Sequence, residues 1–441
     1  MLRVRNEILP VNIYIHSNNE IPKLGTKKLA ILSNRFLNED QRGSEEFPKQ
    51  LFKMLGGIFT VDVLTSDIID HQPLTSPLSH RTKEFKTQID KFSTVYRFKS
   101  HPLISSSAYV ASLFLSKFDA IGGENIRYLS SILYVLGWGP LTPKIYEHIS
   151  LNEYDVILGS TFPSTPSYFA YKASRNFKIP FVYAPYFHYR LANFANNKIL
   201  KIMVKNSTAV IARTESEKKK LILLGACNKK SFVIPSLFDL KFTDQYRVNK
   251  AIARERLGLK DEFVILTVPH PLKGGVQTLE AAADVSENLE GICVISMGNV
   301  NDTYRKIASK ITKRYKNLRV IDFGWVSTEM KYMINSAADI FSMPSITDAF
   351  GLSYLDSWSC QTPVIGAKNT SADDLILNGK NGYLVSFGNI GELSSLFKEL
   401  YFSKQLLEAM GRKGYGYVED RFNPQTVKNK YLEVLEFAMQ N

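Results

Sequence analysis

The stretch DAFGLSYLD, residues 348–356, sets two carboxylates, Asp348 and Asp356, on either side of a Phe-Gly pair and a short apolar run. It follows DIFSMPS, which reads as a buried strand, so SITDAF lies at that strand's carboxyl end. Gly351 permits close backbone approach and begins a helix. The N–H groups and dipole at a helix start suit a phosphate. Asp348, before the helix, could accept hydroxyls from a sugar. Asp356 lies roughly 8 Å further along at 1.5 Å per residue, where a carboxylate can accept two adjacent hydroxyls, as a ribose presents. The spacing therefore fits a nucleotide sugar. It equally fits a helix N-cap near Asp348 and a solvent-facing Asp356, because Asp before a helix is common.

The elements that must position these residues form a β-α-β rhythm. KLAILSN reads as a buried strand, followed by a polar turn, the helix EEFPKQLFKML and the strand TVDVLTS. YDVILGS, a helix near SYFAYKASRNF, IPFVYAP and TAVIART continue it. The second half is more regular: strands EFVILTVP, GICVISMG, NLRVIDFG, DIFSMPS and TPVIGA alternate with helices. Buried strands alternating with helices imply an α/β fold with parallel, doubly wound sheets. Two such blocks join near LFDLKFTDQYRVNK and predict two Rossmann-like domains facing across a cleft. In an open parallel sheet the ligand sits beyond the carboxyl ends of the strands. Residues 1–27 read as irregular and polar, and residues 67–153 as helices with substrate-side loops. NPQTVKNKYLEVLEFAMQN reads as a separate terminal helix.

At 441 residues the chain is too long for one ordinary core and suggests two domains of roughly 200 residues each. Its apolar share of 44% and charged share of 22% are those of a globular protein. A net charge of +13 favours anionic partners without choosing among them, and a solvated basic surface fits as well. Cys227, Cys293 and Cys360 lie far apart, with no metal or disulfide spacing, and are expected to be reduced core residues. No signal peptide is read at the start, and the apolar runs fall short of the roughly 20 residues that span a bilayer. KILKIMVK places Lys198, Lys201 and Lys205 at helical spacing. Such a helix either lies on an anionic membrane or turns its apolar side into the core, and the core is the favoured reading. No GxGxxG follows a strand and no GxxxxGK[ST] occurs, which argues against a dinucleotide oxidoreductase and a P-loop ATPase. No nucleic-acid motif appears.

Residues 343–385, MPSITDAFGLSYLDSWSCQTPVIGAKNTSADDLILNGKNGYLV, resemble the donor site of retaining glycosyltransferases of family 4, which have the GT-B fold. That family's pattern is P-S-x-x-E-G-F-G-L, a second Glu eight positions on, then G-x-P-V-I and N-G-x-L-V. Pro344, Ser345, Phe350, Gly351, Leu352, Pro363, Val364, Asn381, Gly382 and Leu384 match it. Asp348 and Asp356 stand in place of the two Glu, Ala349 in place of Gly, and Gln361 where Gly is usual. The resemblance covers most of residues 28–435, including QRGSEEFPKQLFKMLGG, IARTESEKKKLILLGACNKKSFVIPSLFD and RFNPQTVKNKYLEVLEF.

The resemblance implies residues 1–238 as an acceptor-side domain, 239–420 as a nucleotide-sugar donor domain, and 421–441 as a helix crossing back to the first. It implies transfer of a sugar, a hexose by type, from a nucleoside diphosphate sugar, UDP- or GDP-linked, to an acceptor hydroxyl with retention of configuration. Lys273 and His270, in VPHPLKGG, stand where the family's Lys and Arg bind the donor diphosphate; the alternative is a surface Lys beside a Gly-Gly turn. Donor contacts extend to Gly43, Phe350, Gly351, Leu352 and Asp356, while Asp348, Lys273 and His188 are the catalytic candidates. Gly43 and His188 equally read as a turn glycine and a packed histidine. Arg42 reads as a phosphate contact or as solvated. Thr214 and Glu217 read as a capping box. Thr370 and Ser371 either meet phosphate or cap the next turn.

No cofactor and no metal are expected, in keeping with GT-B enzymes. The expected partners are the donor and a glycan, lipid-linked or small-molecule acceptor, without nucleic acid. The expected address is cytoplasmic, with peripheral contact at the inner membrane face as its extension. A GT-B-like nucleotide-sugar epimerase and a degenerate non-catalytic member are the other readings left open.

Overall fold

A computed structural model describes residues 27–36, 46–70, 74–118, 123–186, 196–348 and 350–441. The chain runs β1 (Lys28–Leu32), α1 (Glu46–Leu55), β2 (Thr60–Ser66), β3 (Lys86–Asp90), β4 (Ser93–Phe98), α2 (Pro102–Ser116), α3 (Gly123–Trp138), α4 (Lys144–Ser150), β5 (Val156–Ser160), α5 (Thr165–Phe177), β6 (Phe181–Ala184), α6 (Lys198–Asn206), β7 (Ala209–Ala212), α7 (Glu215–Leu223) and β8 (Ser231–Val233). These eight strands form one sheet in the order β3-β4-β2-β1-β5-β6-β7-β8, parallel except for β3. The period of two in a strand sends Leu29 and Ile31 to one face and Ala30 and Leu32 to the other. Both faces are covered, so the strands read as continuous apolar runs.

The second half runs α8 (Leu240–Asp244), α9 (Lys250–Arg256), β9 (Phe263–Thr267), α10 (Gly275–Ser286), β10 (Ile292–Ser296), α11 (Asp302–Arg314), β11 (Leu318–Asp322), α12 (Thr328–Ala337), β12 (Ile340–Ser342), α13 (Leu352–Ser359), β13 (Val364–Ala367), β14 (Gly382–Val385), α14 (Ile390–Tyr401), α15 (Lys404–Phe422) and α16 (Pro424–Gln440). Its six strands form a second parallel sheet, ordered β11-β10-β9-β12-β13-β14. Two Rossmann-like, doubly wound sheets thus make up the protein.

Pro424 lacks a backbone N–H and excludes α backbone from Asn423, so α15 stops there and α16 begins with Asn423 as its cap. From that break α16 returns to the first sheet. Val427, Tyr431, Val434, Leu435 and Ala438 bury against β-strand residues of that domain.

Residues 67–153 hold two strands as well as helices. KTQID is an exposed edge strand, and its polar composition hides it from a search for apolar runs. In α6 the side chains of Ile199, Leu200, Met203 and Val204 enter the core, as the favoured reading of KILKIMVK has it. The cysteine expectation fails at one position: Cys227 is exposed, at a turn after α7, while Cys293 and Cys360 are buried. A lone cysteine carries no spacing that distinguishes a loop from a core position.

Candidate active site

The strand order of the second sheet reverses at β9. From there the chain steps outward through β10 and β11, then crosses to β12 on the other side. The loops after β9 and β12 therefore diverge around a crevice, the place where open α/β sheets bind ligands. These loops carry VPHPLKGG and PSITD, and the structure stitches them together. The Ile346 N–H donates to the Leu272 carbonyl at 3.0 Å. Gly274 has φ of +79°, and a Cβ there would lie 2.4 Å from Cγ of Pro344. Only glycine meets both demands without strain.

Lys273 and Asp348, distant in sequence, meet here. The Lys273 ammonium donates to Asp348 Oδ1 at 3.1 Å, and both side chains are partly exposed to the crevice. The Ser345 hydroxyl donates to the other carboxylate oxygen, and the Ser371 hydroxyl holds the Asp348 carbonyl at 2.9 Å. Asp348 is not a helix cap. The cap position belongs to Gly351, which has φ of +89° and opens α13. Thr370 caps the turn Ser371–Asp374 by accepting from the Ala372 N–H. Thr370 thus follows the capping reading, while Ser371 bonds across to the loop after β12.

His270 caps the turn before Lys273, its Nδ1 accepting from the Leu272 N–H at 3.2 Å. An accepting Nδ1 leaves the ring proton on Nε2, which makes the ring a neutral donor. Phe350, expected as a donor contact, has its side chain in the core, edge-on to Phe422. Leu352 packs partly against the same core.

Asp356 sits on α13 with its side chain partly buried. Its Oδ1 accepts from the Lys331 ammonium and the Tyr332 hydroxyl, each at 2.8 Å. Burial, reinforced by the neighbouring carboxylate, raises the Tyr332 hydroxyl's pKa and keeps it a donor. Among the described residues no partner engages Asp356 Oδ2. Each short acid is thus paired with one lysine, Lys273 with Asp348 and Lys331 with Asp356.

The first domain contributes Arg213, just after β7. Its guanidinium lies 4.1 Å over the Tyr186 ring and 5.8 Å from the ring of Phe350. This contact crosses the crevice beside the start of α13. Nearby, the Asp374 carboxylate accepts from the Ser216 N–H at 2.9 Å, a second bond between the halves. Thr214 caps α7 by accepting from the Glu217 N–H, and Glu217 accepts from the Arg213 N–H at 2.7 Å. The carboxylate reaches one residue further back than in the usual capping box, and so fixes the backbone of Arg213. Gly43, Arg42 and His188 lie outside the described residues.

Sequence reasoning missed Lys331, Tyr332, Arg213 and the hold of Ser345 on Asp348. Ser345, three residues before Asp348, carried a local signal as a turn-forming serine. Lys331 and Tyr332 carried none, because the α12–α13 packing that brings them to Asp356 leaves no mark in spacing.

Residues 249–417 match the model of the family Glycosyl transferases group 1. The putative glycosyltransferase EpsD of Bacillus subtilis is 25% identical over 181 residues, 39% of this chain and 46% of EpsD. The probable sucrose-phosphate synthase of Thermosipho melanesiensis is 26% identical over 256 residues, 54% of this chain and 56% of its own. The chain spans about half the length of these relatives. Among solved structures, HepE of Anabaena with UDP and glucose superposes with a TM-score of 0.66 at 18% identity, covering 93% of this chain and 99% of HepE. The shared architecture is GT-B.

Proposed function

We propose that this chain, whose second domain belongs to the glycosyl transferases group 1 family, transfers a sugar from a nucleoside diphosphate sugar to an acceptor hydroxyl with retention of configuration. The observation that carries the reading is the Lys273–Asp348 pair, 3.1 Å apart, at the strand-order reversal beside the start of α13.

Breaking the glycosyl–phosphate bond places charge on the departing diphosphate. An ammonium has three donors, so Lys273 keeps Asp348 and still reaches a phosphate oxygen. The α13 N-terminus and the Nε2–H of His270 add neutral donors directed at the same charge. Lys273 stands between the Asp348 carboxylate and the anion and offsets their repulsion. Asp348 orients the transferred sugar, and Oδ2 of Asp356 accepts from the ribose. The acceptor oxygen bonds the anomeric carbon on the face that the diphosphate leaves. Its proton passes to the departing phosphate oxygen. HepE has been solved with UDP and with UDP-glucose, which supports a UDP-linked hexose as the donor here. The acceptor is a glycan, lipid-linked or small-molecule hydroxyl, and the reading carries a cytoplasmic address.

The test is incubation of the purified chain with UDP- and GDP-hexoses, with and without an acceptor panel, followed by NMR of the products. Acceptor-dependent product that keeps the donor's anomeric configuration supports the reading. Inverted product removes retention. Acceptor-independent change in the sugar's stereochemistry would make the protein an epimerase. Tight nucleotide binding without any turnover would make it a non-catalytic relative.

A further inference from the structure

Asp356 cannot hold a ribose as a two-pronged fork, with one hydroxyl on each carboxylate oxygen. A carboxylate oxygen offers two lone pairs. Both of those on Oδ1 are taken, by the Lys331 ammonium and the Tyr332 hydroxyl, each at 2.8 Å. Burial keeps the Tyr332 hydroxyl protonated, so it goes on donating. Oδ2 alone is left to accept. One oxygen of this carboxylate therefore faces two adjacent hydroxyls.

Lys331 supplies what the carboxylate lacks. An ammonium has three N–H donors. That of Lys331 directs one to Asp356 and has no other hydrogen-bond acceptor among the described residues. Its nitrogen lies 4.4 Å over the Tyr332 ring, which stacks in turn on the Tyr246 ring with centroids 6.0 Å apart. Ring and carboxylate together fix where a flexible side chain ends. Both partners stay within reach of a ligand, the Lys331 and Asp356 side chains being 32% and 18% exposed.

The pair lies at the ligand-binding end of the second sheet. In a parallel α/β unit each helix begins where its strand ends, and ligands bind beyond those strand ends. Helix α12 follows β11 and α13 follows β12, and Lys331 and Asp356 lie in the first turns of these two helices. The ribose follows the diphosphate along a nucleotide, as Asp356 follows Gly351 along α13.

With Asp356 as the ribose ligand of the proposed donor site, on which this assignment rests, we propose that Lys331 is a specificity-determining residue. Its ammonium donates to the oxygen of one ribose hydroxyl, while the adjacent hydroxyl donates to Oδ2 of Asp356. The two hydroxyls are read in opposite roles by two different side chains, so a nucleotide that lacks either one binds less well.

The experiment is calorimetric titration of the full chain with UDP or GDP, whichever it binds more tightly, and with the 2′-deoxy and 3′-deoxy forms of that nucleotide. Wild type should bind each deoxy form about tenfold to a hundredfold more weakly, the loss of one hydrogen bond to a charged group. Lys331→Met should no longer discriminate against one of the two deoxy forms and should still discriminate against the other. Lys331→Arg, which keeps cationic donors at that place, should discriminate against both. Thermal unfolding of both variants should stay near wild type, because the side chain is partly exposed. If Lys331→Met still discriminates against both forms, Asp356 reads the ribose alone; if it discriminates against neither, Lys331 only holds the carboxylate in place. Either result overturns the proposal. Wild type indifferent to one hydroxyl overturns it as well. Wild type that binds neither nucleotide, or is indifferent to both hydroxyls, removes the ribose from Asp356, and the donor-site reading falls with it.

Discussion

Replacing Lys273 by Met tests the crevice most directly. Methionine keeps the length of the side chain and removes the charge, so the loop after β9 retains its packing. Two effects follow, both in the same direction. The departing diphosphate loses a positioned cation, and removal of one such donor typically lowers kcat by about 10²–10³-fold, or about 2.7–4 kcal/mol. The Asp348 carboxylate, paired with Lys273 at 3.1 Å in the native protein, is then left facing the developing anion. That repulsion places the expected loss at the upper end, about 10³-fold. Stability should change little, because a partly exposed ion pair contributes about 1 kcal/mol or less. In a protein of this size that corresponds to a shift of no more than about 4 °C in Tm. Release of nucleoside diphosphate from UDP- and GDP-hexose in the presence of acceptor gives kcat, and differential scanning fluorimetry gives Tm. Lys273→Arg keeps the charge in a different geometry and should fall between the two. If the Met variant turns over within about threefold of wild type, the assignment of Lys273 is wrong, and with it the location of the diphosphate.

Gly274→Ala should destabilise by about 2–4 kcal/mol, because it adds left-handed strain to a 2.4 Å clash with Pro344; an unchanged Tm would mean the two loops are not held as described. Gln361 holds φ of +59° at the end of α13, so Gln361→Gly should stabilise by about 0.5–1 kcal/mol and raise the urea midpoint, whereas a lower midpoint would count against backbone strain there. Asp356→Asn should weaken nucleoside diphosphate binding about tenfold by calorimetry while leaving kcat near wild type; an equal loss in kcat would move Asp356 from binding to the chemical step. His148 is pushed down to about 4, chiefly by burial, with Lys28 acting the same way and Asp62 opposing. Its folded value lies below the unfolded one of 6.5, so the stability it contributes is present above pH 6.5 and is lost as pH falls towards 4. For this partly buried ring the loss is about 2 kcal/mol. In His148→Phe, urea midpoints between pH 7 and 4 should fall less steeply than in wild type, and parallel pH curves would refute the assignment.

Most of the strands and helices around the crevice were legible from pattern alone. Strands buried on both faces are continuous apolar runs, and each is long enough to stand out between polar turns. The failures were of two kinds. The edge strand KTQID is polar because nothing covers it, so no hydrophobic signal betrays it. Helix α2 carries its apolar residues on the outside, so a search that assumes apolar means inward cannot place it.

The candidate site divides in the same way. Asp348, Gly351 and Asp356 were singled out by their spacing where a strand runs into a helix, and Lys273 by the resemblance to family 4 glycosyltransferases; chain order decides what lies at the carboxyl end of a parallel sheet. What the sequence by itself determined is the chemical type of these side chains and the strand ends they follow. It did not determine their partners. That Lys273 meets Asp348, that Lys331 and Tyr332 hold Asp356, and that Arg213 crosses from the other domain to the ring of Phe350 all rest on packing between segments distant in the chain. Spacing encodes neighbours only within a helix or along a strand, where the backbone repeat is fixed. Contacts between elements depend on the sheet order and on which faces pack, and only the folded chain decides those.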